Sequence, residues 1–357
     1  MDYVWWNKVT NASNFLDAIV CAVQDRHSIF LKLPDVVPWY STMRDIISND
    51  ISMQNADSSF RIISDTGIEP GAYLLNEFCK KEKRALYRPN IGYANFLAKS
   101  DDIVLNDYIL WIVAKNEEQS MKWVDFVVEY NKALAKNKKG CLFIIETRQN
   151  TNLSNKKGIV HIDYDKEIEY YDTYLFNMLA ASTLKEGEIL KKYLAEVVSA
   201  MLPKDIELAA QCILYGKKFL ASPLEIIREI VENESRSDGT YFNVQVTEEE
   251  MQERLWEAQI KMIFPLIERH RNIIVHKYSK QLNILLPINA AYGETFTEVT
   301  DVELGTISYL LAINKIEMSS EDVNKVSKLK KARNELAHIK VVSQEDVEEI
   351  LSFKYSK

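Results

Sequence analysis

Residues 333–338 combine an arginine and a histidine that could act together on a phosphate ester. His338 would move a proton as a general acid or base, and Arg333 would stabilise negative charge that builds on the phosphate. Asn334 would orient the reacting groups. The five-residue spacing predicts that Arg333 and His338 lie roughly on one face of a helix. The alternative is structural: an arginine in a salt bridge and a histidine that ends a helical turn.

The same Arg-Asn-x-x-x-His pattern occurs at Arg271, Asn272 and His276. The three residues inside it are Ile-Ile-Val, and further apolar residues precede it at helical spacing. This composition predicts a helix deep in a core. His276 is therefore expected to be a hydrogen-bonded core residue and not a proton-transfer group.

A basic strip precedes the C-terminal motif and includes Lys328, Lys330 and Lys331. Lysines clustered along a helix could bind an RNA backbone or an acidic partner and guide it toward His338. The alternative is a solvated lysine face that is balanced by the acidic residues of segment 345–349.

Four carboxylates follow a predicted strand and could bind a metal ion, namely Asp163, Asp165, Glu167 and Glu169. No histidine with matching spacing accompanies them, so a charged turn between a strand and a helix is favoured. The four cysteines are scattered without a Cys-x-x-Cys pair, and they predict no zinc site. The sequence therefore predicts no metal and no cofactor.

The composition is that of an ordinary globular protein. The chain has 357 residues, 47% of them hydrophobic, and a formal net charge of −8. This acidity counts against broad, charge-driven binding of nucleic acid. The N-terminus lacks the basic and apolar regions of a secretory signal, and no apolar run reaches membrane-spanning length. A cytoplasmic protein that does not contact membranes is predicted.

The first 165 residues alternate between strands and helices, which predicts an α/β domain with a mainly parallel sheet covered on both faces. The strand at 108–113 is expected to be central, because its nearly continuous apolar run needs cover on both sides. The other predicted strands lie at 28–33, 60–63, 84–87, 141–145 and 158–164.

After residue 165 the pattern is helical almost to the end of the chain. Residues 166–235 are predicted to form a helical lid or linker domain, and residues 236–357 an all-α domain. A polar loop at 235–239 marks the boundary between them. Pro265 is expected to split or bend the long helical stretch at 248–278.

The order of elements in residues 1–165, with a strand, turn and helix at 28–47, resembles the core of AAA-like or STAND-like P-loop NTPases. That resemblance implies a nucleotide-binding sheet followed by a helical lid. A phosphate loop needs glycines, a lysine and a Ser or Thr. The turn here has Pro34, Asp35 and Pro38 and neither glycine nor lysine, so the sheet is interpreted as a degenerate, pseudo-NTPase domain. An unrelated α/β sheet is the alternative.

The motif at Arg333, Asn334 and His338 in a late helix resembles the HEPN family of helical bundles. Many HEPN proteins are metal-independent ribonucleases that join two motifs across a dimer, and many others carry a similar motif without cutting RNA. The resemblance covers about the last 100 residues. It implies a HEPN-like bundle in 236–357 and catalytic roles for these three residues.

The combination of a pseudo-NTPase domain and a HEPN-like bundle resembles prokaryotic conflict and phage-defence proteins. One hypothesis is a non-catalytic scaffold or regulatory protein that binds a protein partner, RNA or both; it also allows a homo-oligomer. The other is a metal-independent endoribonuclease that uses Arg333 and His338. A nuclease of this kind should carry a basic groove, so the acidic charge of the chain favours the first hypothesis.

Overall fold

The computed structural model describes residues 1–99, 104–136, 138–148, 156–244, 247–289 and 293–353. The chain divides into two compact units. The sheet unit comprises Met1–Asp172 and Arg236–Thr240, and the helical unit comprises Thr173–Ser235 and Tyr241–Lys357. The predicted fold class, an α/β region with a parallel sheet followed by a helical region, is confirmed.

The sheet unit contains five parallel strands in the order β2-β3-β4-β1-β5. Because each strand runs parallel to its neighbours, helices must return the chain across the faces of the sheet. The strands are β1 (Ser28–Lys32), β2 (Ser59–Ser64), β3 (Tyr108–Val113), β4 (Leu142–Thr147) and β5 (Ile159–Asp163).

Nine helices start in the described part of the sheet unit. They are α1 (Asp2–Lys8), α2 (Thr10–Gln24), α3 (Tyr40–Gln54), α4 (Pro70–Phe78), α5 (Lys81–Arg84), α6 (Tyr93–Lys99), α7 (Glu117–Ala133), α8 (Tyr164–Glu167) and α9 (Tyr170–Ser182). Short 3₁₀ turns lie at Pro89–Ile91 and Val104–Asp107.

Every residue of β4 is buried, and this strand occupies the middle of the sheet. The strand at 108–113, expected to be central, is β3, which lies beside β4 inside the sheet. The predicted strand at 84–87 is wrong. Its first residue, Arg84, is the last residue of the short helix α5. The Tyr87 ring stacks on the Tyr93 ring, with centroids 4.5 Å apart. Leu86 is 58% exposed, so the segment lacks the apolar face that a sheet would bury.

Over its described residues, the helical unit continues with ten helices and one two-stranded antiparallel pair, β6 (Ile288–Asn289) and β7 (Thr295–Phe296). A 3₁₀ turn lies at Val299–Asp301. The helices are α10 (Glu188–Met201), α11 (Ile206–Leu214), α12 (Lys217–Ala221), α13 (Pro223–Asn233), α14 (Glu248–Met262), α15 (Phe264–Lys277), α16 (Ser279–Leu285), α17 (Leu304–Ala312), α18 (Ser320–Ala337) and α19 (Gln344–Ser352).

The helices on both sides of residue 235 share one core. Helix α10 packs along α14, and the Gln259 side chain of α14 hydrogen-bonds the buried Tyr193 hydroxyl of α10 at 3.1 Å. Residues 173–235 therefore belong with the C-terminal helices, which differs from the predicted separate lid or linker at 166–235. The predicted break at Pro265 coincides with the junction between α14 and α15. In the described ranges, no helix combines the length and the apolar character that crossing a membrane requires.

Candidate functional site

The C-terminal motif lies at the end of α18, and its three residues face different surroundings. The Arg333 side chain is half-buried and donates a hydrogen bond to Glu303 Oε1 at 3.1 Å. Asn334 and His338 are exposed. His338 follows the last helical residue as the C-cap, and its backbone N–H donates to the Asn334 carbonyl at 3.1 Å.

The expectation that Arg333 and His338 share one face of a helix is wrong. Five residues advance an α-helix by about 500°, so two such side chains diverge by roughly 140°. His338 also stands outside the regular helix, where the backbone changes direction. The spacing therefore directs Arg333 toward Glu303 and leaves His338 in solvent.

The second motif lies on α15, and its Arg271 makes more hydrogen bonds than Arg333 does. Arg271 Nε donates to Glu268 Oε2 at 2.7 Å, and Arg271 Nη1 donates to the carbonyls of Thr300 at 2.9 Å and Val302 at 3.2 Å. The motif arginines of α15 and α18 thus both bind segment 300–303, directly before α17. In each case the guanidinium holds protein groups together.

The prediction that His276 is a core residue is wrong, because His276 is exposed. The buried residues of α15 include Ile267, His270 and Ile274, which repeat at helical spacing. His276 is two positions beyond Ile274 and therefore points away from that face. His270, in neither motif, packs edge-on against the Phe353 ring at 5.5 Å. Its burial, and to a smaller degree Lys325 and Arg269, lower the pKa of His270.

The two motif histidines lie at opposite ends of the helical pair α15 and α18. Lys277, next to His276, binds Asp322 in the first turn of α18 at 2.6 Å. Trp256 of α14 donates to the Leu336 carbonyl near the other end of α18 at 2.8 Å. His338 lies sixteen positions after Asp322, which along a helix is a distance of about 24 Å. Within one chain, the two motifs therefore do not form a common site.

The lysines predicted to bind RNA or a partner are engaged within the fold. Lys328 Nζ lies 2.8 Å from Asp346 Oδ1 and 3.0 Å from Glu349 Oε2. Lys331 Nζ lies 2.6 Å from Asp346 Oδ2, and Lys330 Nζ donates to Ser308 Oγ at 3.2 Å. The hydrogen bonds to Asp346 and then to Glu349 raise the pKa of Lys328.

Asp346 is buried near the start of α19 and binds two of these lysines, Lys328 and Lys331. Burial alone would raise the pKa of Asp346, but hydrogen bonds from Lys328, Lys331 and Ser343 outweigh it and lower the pKa to about 2. Ser343 is the N-cap of α19, and its hydroxyl oxygen accepts the Asp346 N–H at 3.3 Å. The positive charge of the strip is thus used to fix α19 on α18.

The carboxyl edge of the sheet is where open parallel sheets bind ligands, at the point where the strand order reverses. Here that point is the neighbourhood of β1 and β4. Glu146 of β4 is 1% exposed. It accepts hydrogen bonds from the Tyr40 hydroxyl at 2.6 Å, Trp111 Nε1 at 2.8 Å and Arg148 Nε at 3.2 Å. Burial, and then the charge of Glu146, raise the pKa of Tyr40 to about 12.

Arg148 fills the turn between β1 and α3. Its Nη1 donates to the carbonyls of Pro34 at 2.8 Å and Asp35 at 3.0 Å, and its guanidinium lies 4.7 Å from the centre of the Tyr40 ring. A phosphate loop presents backbone N–H groups to an anion, whereas this turn presents carbonyl oxygens to a cation. The carboxylate that pairs with Arg148 is that of the buried Glu146.

The acidic cluster after β5 is a strand-to-helix turn, as the sequence favoured. Asp163 is buried, binds Lys32 at 3.2 Å and accepts the Asp165 N–H at 3.2 Å as the N-cap of α8. Over the residues that the structure describes, no group of three or more His, Cys, Asp or Glu side chains could hold a metal ion.

No family model, curated protein or solved structure matches this chain. The resemblances to HEPN bundles and to P-loop NTPases therefore stay predictions, and function must be inferred from the geometry of the chain itself.

Sequence reasoning missed a surface beside the N-terminal half of α14. Two adjoining grooves there have volumes of about 250 and 770 Å³. One sequence signal could have drawn attention to it, the run of three glutamates at 248–250 that opens the helix. The rest of the surface comes from distant segments, near residues 201, 221–228 and 339–341.

Proposed function

We propose that this chain is a non-catalytic scaffold or regulatory protein of the prokaryotic conflict or phage-defence type. It binds a protein partner or RNA and uses its pseudo-NTPase sheet and HEPN-like bundle as binding surfaces. The observation that carries the proposal is the Arg148 guanidinium, which occupies the turn where an NTPase of this order would hold phosphate.

The chemistry of that turn supports the loss of nucleotide binding. Pro34 and Pro38 have no N–H to offer an anion, and the carbonyls of Pro34 and Asp35 already accept from Arg148. To enter, a phosphate would have to displace these hydrogen bonds and lie against carbonyl oxygens. Charged hydrogen bonds each contribute about 1.5–3 kcal/mol, so such an exchange is unfavourable.

Calorimetry with ATP and magnesium tests this part of the proposal. The wild-type chain should release no binding heat at millimolar nucleotide, because two prolines remove N–H donors from the turn and Arg148 already binds its carbonyls. ADP and GTP serve as parallel ligands, so that a preference for another nucleotide is not overlooked. Micromolar binding of any of the three would contradict the pseudo-NTPase assignment.

The metal-independent endoribonuclease is the second candidate, and one observation favours it. Asn334 and His338 are exposed at the end of α18, so another copy of the chain or an RNA strand could reach them. Against it, Arg333 is bound to Glu303, and Lys328 and Lys331 are bound to acids. The scaffold hypothesis is therefore better supported.

An RNA-cleavage assay in EDTA separates the two candidates. We expect wild type and folded His338→Ala and Arg333→Ala variants to be equally inactive. His276→Ala is the matched control, because it removes an exposed histidine from the same motif on another helix. The nuclease hypothesis would be correct if wild type cut RNA and His338→Ala lost about a hundredfold or more while His276→Ala stayed active.

A further inference from the structure

Two grooves flank the N-terminal half of α14 and share Glu248 and Gln252. We call them together the α14 groove. The smaller groove lies between α14 and the start of α13, and apolar side chains make up much of its lining. The larger groove lies between α14 and the segment after α18. Apolar lining residues are Ala221, Pro223, Leu224, Leu255 and the buried Met201 and Met251 in the first and Ile339 and Val341 in the second.

The α14 groove has an excess of negative charge. Four carboxylates line it, those of Glu225, Glu248, Glu249 and Glu253, and all four residues are exposed. The lining cations are Lys340 and Arg228, and Arg228 already contacts Glu248 at 3.3 Å. A surface with this balance attracts cationic groups and repels phosphate.

Ile339 projects into solvent at one side of the α14 groove. It is 68% exposed and has a φ of 57°. It occupies the left-handed position of a Schellman motif, because the N–H of Ile339 donates to the Leu336 carbonyl at 3.3 Å and that of Lys340 to the Glu335 carbonyl at 2.9 Å. Glycine is the usual residue there, because an L residue with a side chain is strained in the left-handed conformation. The chain thus holds an apolar side chain in water at an unfavourable backbone conformation.

We propose that the α14 groove binds a basic amphipathic helix of a partner protein. The apolar face of that helix packs on Leu224, Leu255 and Ile339, and its Lys or Arg side chains meet Glu249 and Glu253. An amphipathic helix in a groove is a recurrent mode of recognition. This inference rests on the proposed scaffold function and names the class of its partner.

The test uses the full-length chain and a fluorescent peptide of leucine and lysine, about five helical turns long, with leucines on one face. Fluorescence anisotropy measures its affinity. We expect micromolar binding of this peptide and no binding of a matched leucine–glutamate peptide. Glu249→Lys combined with Glu253→Lys should weaken the binding by about tenfold or more, because two attractive charges become repulsive.

Ile339→Gly separates docking from folding. It removes the exposed apolar contact and also relieves the left-handed strain, so the variant should be at least as stable as wild type and bind the peptide about fivefold more weakly. Glu257→Lys is the matched control, since Glu257 is exposed on the same helix but does not line the groove. Its affinity should stay within about twofold of wild type.

Two results would overturn the inference. Equal affinity of all variants, or a loss with Glu257→Lys as large as with the groove variants, would mean that the peptide responds only to the overall charge of −8. Binding of a single-stranded RNA that Glu249→Lys strengthens would mean that the surface takes nucleic acid. Neither result depends on nucleotide binding or RNA cleavage, so the proposed function is judged separately by those assays.

Discussion

The two copies of the Arg-Asn-x-x-x-His motif have the same residue types and spacing, yet they differ in almost every contact. Arg271 is bound by Glu268 and by two backbone carbonyls, whereas Arg333 has a single partner in the half-exposed Glu303. Both histidines are exposed and stand at opposite ends of an antiparallel helical pair. An Arg-Asn-x-x-x-His sequence therefore specifies neither a functional site nor the role of its residues.

The ends of the two motif helices also differ. Helix α15 passes through Tyr278 into α16 without a left-handed residue. Helix α18 ends in a Schellman motif with Ile339 in the left-handed region. The residue after the motif histidine is therefore helical in the first copy, where it is Lys277. In the second copy it is Ile339, which has a strained backbone.

Removing the two arginines should have unequal effects on stability. Arg271→Ala should lower the free energy of unfolding by about 2–3 kcal/mol, because it leaves the Thr300 and Val302 carbonyls without their charged donor. Arg333→Ala should lower it by less than about 1 kcal/mol, because one partly exposed ion pair is lost. Urea unfolding measures both. Equal losses would mean that the two arginines have the same structural role.

Acid should lower the free energy of unfolding, because it protonates the two aspartates that bind lysines of the motif helices α15 and α18. Asp322 and Asp346 are buried, and hydrogen bonds that outweigh burial hold the pKa of each below its ordinary value. Their stabilisation is therefore complete above about pH 4 and is lost as the pH falls toward the folded pKa, which is about 2 for Asp346.

Thermal unfolding between pH 7 and 2 measures this loss, which should be about 2 kcal/mol for Asp346. Asp346→Asn should be less stable than wild type at pH 7 and should lose less on acidification. A wild-type curve that matches the Asp346→Asn curve over this range would contradict the assignment.

Substitution by glycine should change the free energy of unfolding in opposite directions at the two helix ends. Ile339→Gly should raise the free energy of unfolding by about 1 kcal/mol, because glycine adopts the left-handed conformation without strain. Lys277→Gly should lower it, because glycine is a poor helix former and the contact with Asp322 is lost. Chemical unfolding of both variants measures the difference, and a shared sign would show that the two ends are equivalent.

Removing either motif histidine should have the smallest effect. His276→Ala and His338→Ala each change an exposed side chain, so the free energy of unfolding should stay within about 0.5 kcal/mol of wild type. His270→Ala is the informative contrast, since it removes a buried ring from its contact with Phe353 and should cost more. A large loss with His338→Ala would reveal a structural role that its exposure does not predict.

Elements whose signals are local could be predicted from the amino-acid sequence. The alternation of apolar strands and amphipathic helices predicted the parallel sheet and the helical region, and Pro265 marked the junction between α14 and α15. These signals are local because side-chain periodicity and proline geometry act over a few residues. The prediction of a strand at 84–87 was wrong because a short apolar run does not show whether a neighbouring strand will pair with it.

Which charged side chains can meet a ligand depends on the tertiary structure. Arg148 binds the carbonyl of Pro34, 114 positions earlier, Arg333 binds Glu303, 30 positions earlier, and Lys331 binds Asp346, 15 positions later. In the sequence each of these residues could equally have faced a ligand. The fold resolves that choice, because a cation that lies within hydrogen-bond distance of a carboxylate or a carbonyl is already engaged, and only packing brings residues so far apart in sequence to that distance.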